Sequence, residues 1–176
     1  LTAGIAKLFA FFVDVKSTYT ADHSTDVSKL SGFLAKKMNL SAITCTKIGI
    51  AGLLHDLGKL RVPDEILEKK STLTKSEFDI VKVHAYETHQ ILSKVQGIED
   101  IAQWAAQHHE TLKGTGYPYH SNKDGIPLPS RIIAVADIFQ ALAQKRPYRD
   151  NMEPLKILKI LKDKSKNKEL DENVIH

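Results

Sequence analysis

A chain of 176 residues is long enough for one domain with a substantial hydrophobic core. Hydrophobic residues make up 42% and charged residues 26%, as in ordinary globular proteins, and no apolar run is long enough to span a bilayer. The single cysteine, Cys45, excludes an intramolecular disulfide framework and fits a reducing compartment. A net charge of +4 is too mild to indicate binding to a nucleic acid polymer, although it would not repel a small anion.

Helical periodicity dominates the first half of the chain. His23 stands one turn before Val27 on the same apolar stripe, which predicts an amphipathic helix. Residues 48–57 are apolar nearly all round, as expected of a central buried helix, and Gly58 marks its expected end. Thr74 and the glutamate three residues later have capping-box spacing, so a further helix is predicted to begin there.

The second half combines helices with one long loop. Apolar residues recur at helical spacing over 98–105, and His109 continues that stripe. Residues 113–129 contain three glycines and three prolines, which predicts a long structured loop followed by another helix. A last amphipathic helix begins at Pro154, and the charged tail over 162–173 is expected to fray.

The pattern contains no alternating strand and no internal repeat, so it predicts an all-α fold. We expect a single-domain helical bundle over residues 23–176. Residues 1–22 are expected to form an N-terminal helix that ends a linker from an upstream region.

Seven polar side chains stand where a helix pattern predicts an apolar residue or where a helix ends: His23, His55, Asp56, His84, His108, His109 and Asp137. Imidazole nitrogens together with carboxylate oxygens suit divalent iron, manganese, zinc or nickel. Five histidines and two carboxylates exceed the needs of one ion, so Asp56 is a candidate bridge between two ions.

Each of these residues also has a structural explanation. A lone histidine is more often a hydrogen-bonded core or surface residue than a metal ligand. Asp137 is harder to explain in that way, because an unpaired carboxylate inside an apolar helix is costly. The residues alone therefore leave a metal site and a structural cluster both open.

Several short motifs occur in the order found in one known family. Residues 55–59 read His-Asp-Leu-Gly-Lys, and His108-His109-Glu110 is followed by Gly-Thr-Gly-Tyr-Pro at 114–118. Further matching blocks cover 62–67, 131–137 and 146–149. Together these motifs resemble the HD-GYP family within the HD superfamily of metal-dependent phosphohydrolases.

The resemblance implies an HD-type helical bundle with a long GYP loop and two divalent metal ions. Iron or manganese is the first expectation for these ions, with zinc or nickel as alternatives. The seven side chains given above match the ligand positions of the family, with Asp56 bridging the ions. The implied activity is hydrolysis of cyclic di-GMP to linear pGpG, and in some members on to GMP, by attack of a metal-bridging hydroxide.

Four further matches concern the substrate. Lys59 matches a lysine that points at the substrate phosphate, which makes it a catalytic candidate beside Asp56. Arg146 and Arg149 match basic groups that grip phosphates, a task that suits the bidentate fork of guanidinium. Tyr117 in the GYP loop is a substrate-binding candidate, with loop positioning or contact with diguanylate cyclase (GGDEF) proteins as alternatives.

Two positions depart from the family pattern. Tyr19 stands where members with a third metal carry a glutamate, so two ions are expected, and cleavage is expected to stop at pGpG. Lys113 stands where an aspartate commonly precedes the glycine-rich motif, which is expected to affect the loop rather than a ligand.

Two other functions remain open at this stage. One is a catalytically weak module that senses cyclic di-GMP or docks a GGDEF protein. The other is an HD phosphohydrolase for another cyclic dinucleotide. The resemblance also implies a cytoplasmic location in a bacterium, as the output domain of a larger protein without membrane insertion in this part.

Overall fold

The computed structural model describes residues 2–16, 22–144 and 151–176. Most of these residues are helical, and the strand-like pairing among them is an isolated bridge between Lys113 and Asn122. The helices are α1 (Ala3–Lys16), α2 (His23–Lys37), α3 (Ala42–Leu54), α4 (Asp64–Leu67), α5 (Lys75–Leu92), α6 (Glu99–Ala106), α7 (Leu128–Ala143), α8 (Pro154–Lys166) and α9 (Glu172–Ile175). Two 3₁₀ turns cover Leu57–Arg61 and Lys123–Gly125. The prediction of an all-α fold is confirmed.

Helix α3 lies at the centre of the bundle and packs against α1, α2, α6 and α7. Ile48, Ala51 and Leu54 on this helix are buried, and so are Ile132 and Ile133 on α7. Full burial of one large aliphatic side chain contributes about 1.5–3 kcal/mol, so this apolar centre is a main source of stability. The predicted central position of this helix is therefore confirmed.

The end of α3 differs from the prediction, because the helix stops at Leu54 rather than at Gly58. The chain continues through Asp56 into the 3₁₀ turn Leu57–Arg61. Gly58 serves close packing instead: a Cβ there would lie 2.7 Å from the backbone nitrogen of Thr88 on α5. The turn therefore rests directly on α5 and fixes the position of the residues at the end of α3.

Helix α5 begins with the predicted capping box. The Thr74 hydroxyl accepts the backbone N–H of Glu77, and the Glu77 carboxylate accepts the backbone N–H of Thr74. These bonds satisfy two backbone donors at the helix start. The loop between α6 and α7 is long, as predicted, and contains the second 3₁₀ turn.

The prediction that the tail over 162–173 frays is wrong. Helix α8 extends to Lys166, and Leu170 is buried in the core. Asp171 is buried as well and pairs with Arg131 of α7 at 3.0 Å. The tail is ordered because its one apolar residue, Leu170, is buried in the core and Asp171 is paired, although charged residues dominate the segment.

Helix α1 has two different faces. Ala6, Ala10 and Val13 are buried against the core. Six large apolar side chains on the other face are exposed: Ile5, Leu8, Phe9, Phe11, Phe12 and Val15. The proposed division between residues 1–22 and 23–176 stays a prediction.

No helix in the described ranges is both long and apolar enough to cross a membrane. The predictions for Tyr19, Arg146 and Arg149 fall on residues outside those ranges.

Candidate metal centre

Five different parts of the fold bring the seven candidate ligands together. They come from the start of α2 (His23), the end of α3 (His55 and Asp56), α5 (His84), the segment after α6 (His108 and His109) and α7 (Asp137). Six of them are buried and His109 is half-buried. Such a concentration of polar groups in a core requires partners for every one of them.

The ligand atoms form three groups, each with all its atoms within 4.8 Å of one another. Two of them are separate clusters, and the third, His55, Asp56 and His108, joins these two. The first cluster comprises His84, His108 and His109, and the second comprises His23, His55 and Asp137. Asp56 lies between the clusters, since its Oδ1 is 3.3 Å from His84 Nε2 and its Oδ2 is 3.3 Å from His55 Nε2. One carboxylate therefore reaches both clusters, as a bridging ligand must.

Backbone carbonyl groups orient three of the histidines. Each donates its Nδ1–H to the carbonyl oxygen three residues earlier, at 2.8 Å for His55 and at 2.6 Å for His84 and His108. A carbonyl only accepts, so the hydrogen must be on Nδ1 in each ring. In the neutral rings the Nε2 lone pair is then free to bind a metal ion.

The donor set fits divalent ions. His55 Nε2 is fully buried and makes no hydrogen bond, although it lies 3.3 Å from Asp56 Oδ2 and 3.7 Å from Asp137 Oδ1. A cation between these three atoms would satisfy all of them. The two clusters are therefore able to hold metal ions.

Burial sets the protonation of the first cluster. It lowers the pKa of His84 to about 4 and that of His109 to about 3. Both rings are thus neutral near pH 7, the form that coordinates metals.

In the metal-free protein the carboxylates and His55 are charged, so a metal ion bound at His55 Nε2 would displace the proton from that atom. Burial opposes ionisation of Asp56, but neighbouring His55 and Lys59 outweigh it and hold the pKa of that carboxyl well below its ordinary value. The pKa of Asp137 is lowered in the same way against burial, chiefly by the hydrogen bond with His23 at 3.1 Å. Burial also opposes protonation of His55, but attraction to the Asp56 carboxylate outweighs burial and raises the pKa of His55 to about 9.

Lys59 lies beside the bridging carboxylate. Its Nζ donates to Asp56 Oδ2 at 2.5 Å, and the side chain remains 21% exposed. The amine is therefore at the edge of the metal centre and accessible from outside. Its contact with a substrate phosphate stays a prediction.

The GYP loop folds over the first cluster. The Tyr117 ring lies 4.7 Å from the His109 ring, centroid to centroid, and the Tyr117 backbone N–H donates to the His109 carbonyl at 3.2 Å. Gly116 permits this approach, because a Cβ there would lie 2.5 Å from the Cα of Glu110. Burial raises the pKa of Tyr117, so its hydroxyl is a neutral donor. A role in substrate binding stays a prediction.

Glu110 holds the GYP loop in place through two backbone hydrogen bonds. Its buried carboxylate accepts the backbone N–H of Tyr119 at 2.6 Å and that of Ser121 at 3.0 Å. The Tyr119 hydroxyl also bonds His89 Nδ1 on α5 at 2.7 Å. The loop is thus fixed at two points next to the histidine pair.

Sequence reasoning missed three residues that support the ligands. Thr88 accepts the Gly58 N–H and donates to the His55 carbonyl, and its position one turn after His84 was an available signal. Gln144 contacts His23 Nδ1 at 3.2 Å. Asp14 accepts two hydrogen bonds from Ser24. No sequence pattern predicts the last two contacts, because both depend on how separate elements pack against each other in the fold.

The fold and the site together define an all-helical protein with two adjoining clusters able to bind metal ions. The chain belongs to the HD-domain family, since the family model described as "HD domain" matches residues 9–174. Its His-Asp pair is His55-Asp56, and the motif from His108 through the Gly-Tyr-Pro loop fits the HD-GYP branch.

Similar proteins come from bacteria. The chain is 41% identical over 170 residues to 3'3'-cGAMP-specific phosphodiesterase 1 of Vibrio cholerae, covering 97% of this chain and 39% of that protein. It is 37% identical over 153 residues to the cyclic di-GMP phosphodiesterase of Thermotoga maritima, covering 86% of this chain and 41% of that protein. The solved structure of a cyclic GMP-AMP specific phosphodiesterase of V. cholerae matches with a TM-score of 0.60 and 35% identity, over 99% of this chain and 40% of that one. The chain thus spans about two fifths of these relatives.

Proposed function

We propose that this chain is a metal-dependent phosphodiesterase that hydrolyses cyclic dinucleotides, with cyclic di-GMP as its first expected substrate. The observation that carries the proposal is Asp56, which reaches a histidine of each cluster at 3.3 Å. Two ions joined by one carboxylate are the arrangement that phosphodiester hydrolysis commonly uses. The relatives that act on cyclic dinucleotides support the choice of substrate class.

In this proposal the residues of the two clusters would hold two divalent ions, and Asp56 would be available to both. Iron or manganese suits the mixture of imidazole and carboxylate best, and zinc or nickel is the alternative. Such ions supply Lewis acidity, which activates water and neutralises charge on the phosphate. Hydrolysis of one phosphodiester bond adds water and gives linear pGpG as the expected product.

The chain's own residues have three tasks in the reaction. The carbonyl bonds to the Nδ1 atoms keep the ligand nitrogens pointed inwards. Lys59 would leave the Asp56 carboxylate and bind the phosphate that is attacked, because its amine is accessible and adjacent. The ring of Tyr117 covers the first cluster and would limit access of bulk water.

We also propose that Arg146 and Arg149 bind phosphate. This part of the proposal rests only on the sequence motif at 146–149. The same holds for contact of the GYP loop with GGDEF proteins and for a cytoplasmic role within a larger protein.

A second substrate, 3'3'-cGAMP, has a specific observation in its favour. Two relatives with that specificity in their names are 41% and 43% identical to this chain, against 37% for the Thermotoga cyclic di-GMP enzyme. A purely sensing module is less well supported, since each cluster brings three potential ligand atoms within 4.8 Å of one another.

The decisive experiment offers cyclic di-GMP and 3'3'-cGAMP separately to protein loaded anaerobically with ferrous iron or manganese, and follows products by chromatography. Asp56→Asn tests the bridge, and Asp26→Asn on the surface of α2 is the matched control. We expect linear products from the wild type and the control and none from Asp56→Asn. Tight binding of the intact dinucleotide by metal-loaded protein, without product, would instead identify a sensor.

A further inference from the structure

The N-terminus of α2, where His23 lies, lacks the usual local cap. Asp22 occupies the N-cap position in a left-handed conformation, with φ 68°, and its side chain makes no capping hydrogen bond. Ser24 is the second residue of the helix, so its backbone N–H has no partner within the helix. The partner must therefore come from elsewhere.

Asp14 of α1 provides that partner. Its Oδ2 accepts the Ser24 N–H at 3.3 Å, and its Oδ1 accepts the Ser24 hydroxyl at 2.8 Å. Ser24 is completely buried and Asp14 is nearly so. A carboxylate in this position also interacts favourably with the positive end of the helix dipole. One residue of α1 thus fixes the backbone next to His23.

A second contact fixes the same end of α1. Lys16 Nζ donates to the Leu60 carbonyl at 3.0 Å and pairs with Asp64 Oδ1 at 3.0 Å. Leu60 belongs to the turn that follows Asp56. The last turn of α1 is therefore attached to both sides of the candidate metal centre, at α2 and at the turn after α3.

We propose that Asp14 is a positioning residue, which acts through Ser24 to hold His23 where the second cluster needs it. The inference rests on the proposed metal centre, because its consequence is the affinity of the ion bound by His23, His55 and Asp137. Within the described ranges the Asp14 side chain makes no hydrogen bond to a residue of the first cluster, so we expect the ion there to be little affected when Asp14 is replaced. Residues that orient metal ligands typically change metal affinity by about 10–100-fold when they are replaced.

The test is a manganese titration by calorimetry of the wild type, Asp14→Ala and Asp14→Asn. Asp22→Asn is the matched control, since Asp22 adjoins the same helix end without capping it and asparagine tolerates its left-handed backbone. His109→Ala, which removes a ligand of the first cluster, identifies which binding step belongs to that cluster. Hydrogen exchange of the Ser24 amide in metal-free protein is measured alongside.

In Asp14→Ala we expect the step of the second cluster to weaken about tenfold while the other step stays unchanged. Asp14→Asn retains an oxygen acceptor and should recover most of the loss. The Ser24 amide should exchange faster in Asp14→Ala but not in Asp22→Asn. Equal weakening of both steps, or no change in either, overturns the inference. A wild-type protein that binds no ion overturns the proposed function instead, and unchanged Ser24 exchange in Asp14→Ala would then overturn the link to α2.

Discussion

His84 Nε2 and His108 Nε2 face each other at 3.5 Å, and in the neutral rings neither nitrogen carries a hydrogen. The hydrogen of each ring is on Nδ1, where it is donated to a backbone carbonyl. Two lone pairs at this distance repel each other. A cation that binds both nitrogens converts this repulsion into attraction, so the folded state should bind ions far better than the unfolded state.

Divalent metal should therefore stabilise the protein against heat. At a free concentration 100 times its dissociation constant, manganese should add about 3 kcal/mol per site, with a melting temperature about 2–4 °C higher for each kcal/mol. His108→Gln, which removes a ligand of the first cluster, should lose about half of this effect, whereas His176→Gln, at an exposed position, should retain it. Equal melting temperatures with manganese and with a chelator would contradict the prediction.

Gly58→Ala should destabilise the fold strongly. The new methyl group would meet the backbone of α5 at Thr88 and at the carbonyl of His84, and backbone atoms move aside less easily than side chains. We expect a loss of about 3 kcal/mol or more in the free energy of unfolding, measured by urea denaturation. Gly4→Ala is the control, because a Cβ at Gly4 meets no atom within 4 Å and alanine favours the helix. Equal stability of the two variants would refute the close contact.

The arrangement of helices and the candidate ligands could be predicted from the sequence because each has a local signal. The capping box at Thr74 begins α5 as predicted, and the apolar segment around Ile48 is buried. Asp137 could be predicted as a site residue because its carboxylate interrupts the apolar sequence of a helix. The structure gives it a partner in His23 at 3.1 Å.

Other features depend on contacts between distant residues and leave no local pattern. The pairing of Asp14 with Ser24 joins two helices, and the helix end at Leu54 is determined by the packing of the following turn on α5. The charge of the tail is visible in the sequence and predicts fraying. The pairing of Asp171 with Arg131, which opposes fraying, is not visible there.

Leu170→Ala tests whether the tail contributes to the core. Leu170 is 5% exposed, so its truncation should leave a cavity and cost about 2–5 kcal/mol of unfolding free energy. Leu155→Ala makes the same chemical change at a position that is 83% exposed, and should stay within about 0.5 kcal/mol of the wild type. Chemical denaturation of the two variants side by side gives the answer. Equal effects would mean that the tail frays after all.

Glu110→Ala should release the GYP loop. The change leaves the backbone N–H groups of Tyr119 and Ser121 without their acceptor, and a hydrogen bond to a charged group contributes about 1.5–3 kcal/mol. Hydrogen exchange at these two amides should become faster, whereas Glu65→Ala, at an exposed position, should leave both amides unchanged. Unaltered protection in Glu110→Ala would show that Glu110 does not hold the loop.

The stability of the metal-free protein should depend on pH in two opposite ways. His84 and His109 have folded pKa values of about 4 and 3, below the ordinary 6.5. The unfolded chain therefore binds more protons as pH falls below 6.5, and the stability that the neutral rings contribute is lost. His55 behaves in the opposite sense: its pKa of about 9 gives stability below pH 6.5 that is lost as pH rises through 9.

The melting temperature measured in a chelator should accordingly be highest near pH 6.5 and fall on both sides. The decrease should be easiest to detect on the acid side. Protonation of His84 alone should lower the free energy of unfolding by about 3 kcal/mol between pH 6.5 and pH 4. His84→Gln removes that titration and should flatten the acid limb, whereas the exposed Leu155→Ala, which changes no titratable group, should leave the profile unchanged. A melting temperature that stays level or rises towards pH 4.5 in the wild type would mean that burial does not lower the pKa of these histidines in the folded protein.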